Sequence, residues 1–477
     1  MLRPVKVGVL TVSDGRDYIH EDLLPVTRRY QEQIVAALQK EGFEVVAGNE
    51  IVWNAESARR ESRRLAVETV DLTIFNYAIW AFPHLTAIAT NFAPGPFLLF
   101  CNVNPSEPGM VGMLAAAGTM DQLGVTYTRI WGDIDDAAVR ARVVSYAKAA
   151  SALKQLKGQT YGVFGGRPLG MYTAVANLDQ WQQMFGVDIE HIEQQDLVRC
   201  GEQVPDDKVN AALAWLERHV GAIKYDGKAL TPEKLKLQIR SYYAARQIIA
   251  ERDLDFVGFK AHGDLTDRYV TMDIAEAFLN DPYDWDGPHE PIVAATEADM
   301  DGALTMQIFK LLSGETVLFA DVRHYDAADK LWYFSNSGTH ATFFAGRSKD
   351  PAVNLKNVTF YPEVSYYPAG GASVHHFAAP GHVTLARLAR KNGKYWLAIV
   401  PAEFVELPLS TAIAKGETIT PEWPLAFASL NVGADEFLTS YPCNHIHGIY
   451  GDWVSELTAV ADMLNIEVKI FGGRPAL

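Results

Sequence analysis

The stretch Cys443–Asp452, CNHIHGIYGD, carries two histidines, His445 and His447, two residues apart. In an extended segment, side chains at i and i+2 share a face, so spacing alone does not choose between the rings as ligands. Two carboxylates far upstream stand where chemistry tends to gather. Glu297 directly follows the apolar run Ile292–Thr296, and Asp321 ends the run TVLFA. Ligands of open α/β sheets bind beyond the carboxyl ends of strands. Taken alone, Glu297 also reads as a helix-capping acid and Asp321 as a turn acid. Taken together with one imidazole, they form an adequate protein set for a borderline-hard divalent ion with positions left open for water or substrate. Oxygen-rich ligation points to Mn²⁺, with Mg²⁺ or another divalent ion as the alternative, rather than structural zinc. No H-E-x-x-H motif accompanies the histidine pair.

The elements that must position these residues alternate between strand and helix in the first two thirds of the chain. The run Val5–Ser13 reads as a strand, and the helical spacing after it stops near Gly42. Strands near Phe43, Val70, Pro96 and Val125 alternate with helices over 56–68 and 134–150. Near Lys157-Gly158 the series restarts with a strand, a Gly-rich turn and a helix. Helices over 206–219 and 232–252 follow, then strands at Phe256–Phe259 and Ile292–Thr296 and a helix over 300–312. Such alternation means βαβ units and a parallel sheet. After Ser313 short strands dominate, with Asn392-Gly393 as a strong hairpin signal and a last helix that Asp452 is suited to cap. The expected fold class is α/β, with two Rossmann-like doubly wound parallel-sheet domains (1–157 and 158–313) and a β-rich, barrel-like C-terminal domain (314–477). The sequence FGGRP occurs at Phe164–Pro168 and Phe471–Pro475 and reads as two similar turns. Neither copy is a G-x-G-x-x-G or P-loop pattern, so no nucleotide site is expected.

Composition narrows the function classes. Of 477 residues, 48% are hydrophobic and 21% charged, ordinary for a globular chain. The net charge of −16 argues against a nucleic-acid footprint or an anionic membrane surface. Cys101, Cys200 and Cys443 are odd in number and widely separated, which excludes a disulfide scaffold and fits a reducing compartment. The N-terminal apolar run breaks at Ser13-Asp14-Gly15, unlike a signal peptide. No stretch approaches the length of a membrane span. A cytoplasmic protein is expected.

The segment NDPYDWDGPHEPIVAATEADMDGAL…GETVLFADVR resembles the L-fucose isomerase family, metal-dependent aldose–ketose isomerases that include D-arabinose isomerases. The family pattern carries a glutamate after V-A-T and an aspartate 24 residues later in F-A-D-V-R, the spacing of Glu297 and Asp321. Its third ligand is the histidine of an Asn-His pair ahead of a C-terminal apolar helix, which implies His445 and leaves His447 either in support of the ligands or as part of the structure. DGR at Asp14–Arg16 and IWAF at Ile79–Phe82 are similar to N-terminal family segments and imply Arg16 and Trp80 as contacts to a neighbouring subunit's sugar. Looser similarity at YPAGG and EWP implies Tyr367 and Trp423, and Asn444 is implied beside His445. Where the family has a polar amide, this chain has Lys260 in GFKAHGD, suited to a sugar hydroxyl, a carboxylate or an anionic substituent. The chain is also shorter than the long fucose isomerases.

The resemblance implies interconversion of an aldose and its ketose, of the L-fucose to L-fuculose or D-arabinose to D-ribulose type. Glu297 and Asp321 would be the acid/base pair and, with His445, the ligands of Mn²⁺. It implies a homo-oligomer, a trimer or hexamer, acting on a small-molecule sugar. The alternatives are the same chemistry on L-arabinose or a modified or acidic sugar, and a non-catalytic sugar-binding protein of the same fold.

Overall fold

The computed structural model describes residues 3–473. The second FGGRP copy therefore ends outside the described residues. Contacts divide the chain into two compact units: residues up to Lys154 together with Ser455–Met463, and Gln155–Val454 with the residues from Leu464 on.

In the first unit, five parallel strands run in the order Glu44–Ala47, Lys6–Val12, Leu72–Tyr77, Phe97–Cys101, Tyr127–Trp131. This is the doubly wound order 2-1-3-4-5, whose switch point lies between the first and third strands. Leu72–Tyr77 and Phe97–Cys101 are buried throughout, as parallel strands covered on both faces must be. The helix Ala55–Val67 starts at a capping box in which Asn54 accepts from Ser57 N at 2.9 Å. The C-terminal helix Val454–Leu464 belongs largely to this unit. The Asp452 carboxylate accepts from Val454 N at 3.1 Å, as its sequence position predicts.

The second unit holds a four-stranded parallel sheet in the order Ala294–Thr296, Phe256–Phe259, Thr160–Phe164, Asp188–Ile192. Beyond it the chain becomes antiparallel. Six strands, Gly381–Lys391, His445–Tyr450, Leu318–Asp326, Leu331–Ser335, Leu425–Leu430 and Lys394–Phe404, pair in that order. The last returns to the first, so the sheet closes on itself. Closure leaves none of these six strands as a free edge along its whole length. Glu467–Ile470 adds in parallel beside Lys394–Phe404. Leu318, Ala320, Phe334, Leu385, Val400, Ala426 and Ile446 fill a core on one face of this wall.

The longest hairpin pairs Gly381–Lys391 with Lys394–Phe404 from end to end around Asn392-Gly393. Both turn residues have positive φ, 52° and 75°, the twist that a two-residue hairpin loop requires. The expected α/β class with a barrel-like C-terminal part is thus the observed one. Among the described residues, no helix is long and apolar enough to cross a membrane.

Candidate active site

Strand register sets two of the expected ligands. Asp321 lies directly opposite His445, and Phe319 opposite His447. Ile446, between the histidines, joins the core, so alternation turns both rings to the other face. The Phe319 ring packs against both, with centroids 4.8 Å from each. Both histidines are fully buried.

Glu297 arrives from the parallel sheet. It follows Ala294–Thr296 with φ of 59°, and Ala298 follows with 48°. Two successive non-glycine residues in the left-handed region store strain of roughly 1–3 kcal/mol each, a feature that clusters at functional sites. Ala298 N donates to Phe259 O at 2.8 Å, which fixes the bend. Asp299 then caps the helix Met300–Ser313, accepting from Gly302 N at 3.0 Å.

Asp299 is the hub of the site. Its carboxylate accepts both guanidinium arms of Arg387, at 2.5 and 3.0 Å, and contacts His445 Nδ1 at 2.6 Å. All three side chains are at most 1% exposed. Burial alone would raise the Asp299 carboxyl. The Arg387 guanidinium and the His445 ring overcome this and hold it well below the usual carboxylate range. An ionised acceptor at Nδ1 makes that nitrogen the proton carrier and aims the other ring nitrogen away.

That other nitrogen, His445 Nε2, lies 2.9 Å from Glu297 Oε2 and 3.6 Å from Asp321 Oδ1. It is buried, yet none of its neighbours is angled to hydrogen-bond it. Burial disfavours a proton on the ring, but Asp299 and Glu297 outweigh it and raise the His445 pKa. A proton drawn in by carboxylates is the one a divalent cation displaces. Ligand atoms about 2.1 Å from one octahedral ion stand about 3 Å apart, and the two separations at Nε2 straddle that figure. As they stand, no three such side chains among the described residues close around one point. Asp321 is the group that would draw in. The donor set of one imidazole and two carboxylates fits a divalent ion of the Mn²⁺ or Mg²⁺ kind.

His447 takes a different part. Its Nε2 accepts from Arg387 Nη1 at 3.0 Å. Burial and the adjacent guanidinium keep its pKa low, so the ring stays neutral. It supports Arg387 rather than facing Glu297.

The two acids differ. Burial pushes the Glu297 carboxyl up, but the His262 and His445 rings beside it bring it down to about 2. Burial raises Asp321, the His445 ring opposes, and the Glu297 charge adds to the rise. Because 26% of the Asp321 side chain still meets solvent, its desolvation is only partial. Asn444 Nδ2 donates to Asp321 Oδ1 at 3.0 Å, which brings Asn444 to the site.

Other expected residues fall into groups. The Tyr367 hydroxyl is 3.2 Å from His262 Nε2, which is itself 3.2 Å from Glu297 Oε1. Tyr367 packs with Ala261 and Trp423 in a small apolar cluster, and Trp423 Nε1 donates to Glu363 at 2.7 Å. Lys260 is not joined to this group: its Nζ binds Asp264 at 2.6 Å. Arg16 and Trp80 lie in the other unit, beyond the carboxyl ends of the strands that flank its switch point. There the Arg16 guanidinium holds Asp14 at 2.6 Å, and Trp80 stands edge-on to Phe82. A Cβ on Gly15 would come 2.5 Å from the Phe82 ring, so the two loops touch.

Sequence reasoning missed three contributors. Arg387 interrupts an apolar strand, a signal for a buried pair, but its partner is 88 residues away. Asp299 lies two residues beyond Glu297, but no pattern in the sequence marks it as the partner of Arg387 and His445. His262 stood beside Lys260 without any pattern of its own.

Residues 4–158 match the first N-terminal domain of L-fucose isomerase, 250–314 the second N-terminal domain, and 334–472 the C-terminal domain. The L-fucose isomerase of Klebsiella pneumoniae is 27% identical over 366 residues, spanning 68% of this chain and 61% of the relative. That of Haemophilus influenzae is 24% identical over 544 residues, with 97% and 92% covered. That of Salmonella typhi is 27% identical over 549 residues, again with 97% and 92% covered. The match to the first of these relatives thus spans less than two thirds of its length. With three successive domains matched over more than half of its length, this chain belongs to the L-fucose isomerase family.

Proposed function

We propose that the protein is a metal-dependent aldose–ketose isomerase acting on L-fucose, D-arabinose or a closely similar sugar. The observation that carries this is the buried His445 Nε2, without a hydrogen bond and flanked by Glu297 and Asp321. Glu297, Asp321 and His445 would hold the ion, Mn²⁺ first and Mg²⁺ or another divalent ion second. Bound there, it supplies Lewis acidity that favours the enediolate form of the sugar.

The remaining chemistry belongs to the side chains. Isomerisation removes the proton from C2, forms the C1–C2 double bond of an enediol, and returns a proton to C1 while one passes from O2 to O1. Groups whose environments push their pKa values apart divide the acid and base roles. Glu297, held ionised by two histidines, is suited to take the carbon-bound proton. Asp321, raised by burial, is suited to carry the proton between oxygens. A bound cation lowers both, so their difference assigns the roles rather than either value. His262 and Tyr367 orient the Glu297 carboxylate. Asn444 orients Asp321, and Trp423 offers an aromatic face beside Tyr367.

Arg16 and Trp80 would complete the sugar site of a neighbouring subunit in a trimer or hexamer working in the cytoplasm. Their position at a switch point supports this reading.

The test strips the protein with chelator, restores Mn²⁺, and follows conversion of L-fucose, D-arabinose, L-arabinose and acidic sugars. Turnover that needs the metal is expected with a neutral sugar and is lost in Glu297→Gln. Failure of the protein to bind a divalent ion would overturn the proposal.

A further inference from the structure

A small sheet in the second unit pairs Ala222–Ile223 with Thr359–Pro362, and Thr359–Pro362 with Ala372–His375. Between this sheet and the helix Leu409–Glu417 lies a cavity of about 400 Å³, within the range of small-molecule sites.

Strand register gives the cavity an aromatic wall. Thr359 lies opposite His375 and Tyr361 opposite Ser373, so Tyr361 and His375 are diagonal neighbours on one face. Phe377, two residues beyond His375, continues that face. The rings of Tyr361 and His375 meet edge to face with centroids 5.4 Å apart, and those of His375 and Phe377 at 5.1 Å.

The charge on the walls is of one sign. Asp226, Glu417 and Glu422 bring three carboxylates, and no lysine or arginine lines the cavity. Asp226 and Glu417 are exposed, whereas Glu422 is only 8% exposed. One Glu422 oxygen accepts from Ser365 Oγ. The other has no hydrogen-bond partner among the described residues, and it is not sealed from solvent. His375 Nδ1 stands 2.9 Å from Trp423 O. A carbonyl only accepts, so Nδ1 carries the ring proton and Nε2 presents a lone pair. Burial lowers the His375 pKa, which keeps the ring neutral.

An open carboxylate oxygen and an imidazole lone pair want the same complement, a charged N–H donor. A small divalent ion asks instead for several oxygens at once, and aromatic walls do not supply them. An alkylammonium group donates N–H bonds, is drawn to aromatic faces, and brings a carbon chain that Ile413 and Pro421 can cover.

We propose that this cleft binds a short aliphatic polyamine. One ammonium group sits on Glu422 and His375 Nε2, the chain runs along Tyr361 and Phe377, and a second ammonium group reaches Glu417 at the exposed rim. The site uses none of Glu297, Asp321 and His445, so it stands or falls apart from the isomerase reading.

The test titrates the whole chain by calorimetry with putrescine, a four-carbon diamine, and with the four-carbon diol of the same length. Glu422→Gln removes the charge and still accepts from Ser365. Glu417→Lys reverses the charge at an exposed position that ends a helix, where a cation suits the dipole. It keeps the test open should the first variant misfold. Wild type should bind putrescine and should not bind the diol measurably. Each variant should bind putrescine about tenfold more weakly or worse, as for one lost charge-assisted contact. The proposal is overturned by no wild-type binding of putrescine up to about 10 mM, by equal binding of the diol, by binding unchanged in both variants, or by displacement with equimolar Mg²⁺. It is also overturned by a fall in sedimenting mass as putrescine is added, which would put a basic side chain of another copy in the cleft.

Discussion

Replacing Asp299 with Asn removes one charge and little else. The volume is kept, and Asn still serves as a helix cap for Gly302 N. What disappears is the anion shared by Arg387 and His445. Three contacts to that carboxylate are charge-assisted. At about 1.5–3 kcal/mol each their sum would reach about 4.5–9 kcal/mol. Part of it survives, because the Asn oxygen still accepts one bond. The better guide is the cost of leaving one member of a buried ion pair alone, about 3–5 kcal/mol. Chemical denaturation of the chelator-treated protein should report a loss of that size. The Nδ1 proton of His445 would also lose its fixed acceptor, which should weaken Mn²⁺ binding about 10–100-fold by calorimetry. Pairing Asp299→Asn with Arg387→Met should recover much of the stability and none of the metal affinity, since it removes the stranded cation without restoring the acceptor. The reasoning fails if Asp299→Asn is as stable as wild type, or if the two substitutions are additive.

Asp281 is sealed from solvent and accepts from Thr342 Oγ1, Thr342 N and Phe343 N. Burial lifts its carboxyl from 3.8 to about 7. A folded pKa above the unfolded one means that stability from this group is full below about pH 4 and is lost as pH rises toward 7. The loss is at most ~4 kcal/mol, at about 1.4 kcal/mol per pH unit. Asp281→Asn should flatten the stability profile over that window, and an unchanged slope in urea titrations across it would exclude Asp281 as its source. His262→Ala should lower kcat about tenfold or more with KM little changed, while His262→Gln, which can still donate to Glu297, should recover part of it; equal kcat in the two variants would count against an orienting role. Gly393→Ala puts a Cβ at φ of 75° in the hairpin turn and should cost about 1 kcal/mol in thermal unfolding.

The sequence pattern carried most of the topology because it depends on local signals. The restart near Gly158 and the Asn392-Gly393 turn follow from short-range propensity and appear as expected. The strand alternation of Asp321, His445 and His447 was legible too, once each run was read as extended. Their pairing was not, since register between strands more than 120 residues apart is decided by closure of the barrel wall. The same limit hid Arg387: a charged residue in an apolar strand announces a partner without saying which. Lys260 looked like part of the same group as Glu297. The loop after Phe259 instead turns His262 to that side and leaves Lys260 with Asp264, a divergence set by positive φ at His262 and Asp264 that no spacing rule encodes.

The closed wall gives the proposed ligand set an unequal mechanics. The backbones of Asp321 and His445 are gauged by hydrogen bonds between neighbouring strands, so the Asp321 carboxylate can draw toward the ring by side-chain rotation alone while the strands keep their spacing. Glu297 hangs from a strained bend at the end of a three-residue strand and is tied to the wall through Asp299. The arrangement works as a vice with one fixed jaw and one sprung jaw. Changes in ion size or sugar length would be absorbed at the bend, while the pair in the wall keeps its calibration. Substitutions that retune specificity should therefore accumulate in the loops after Phe259 and Thr296, and those within Leu318–Asp326 or His445–Tyr450 should be tolerated least.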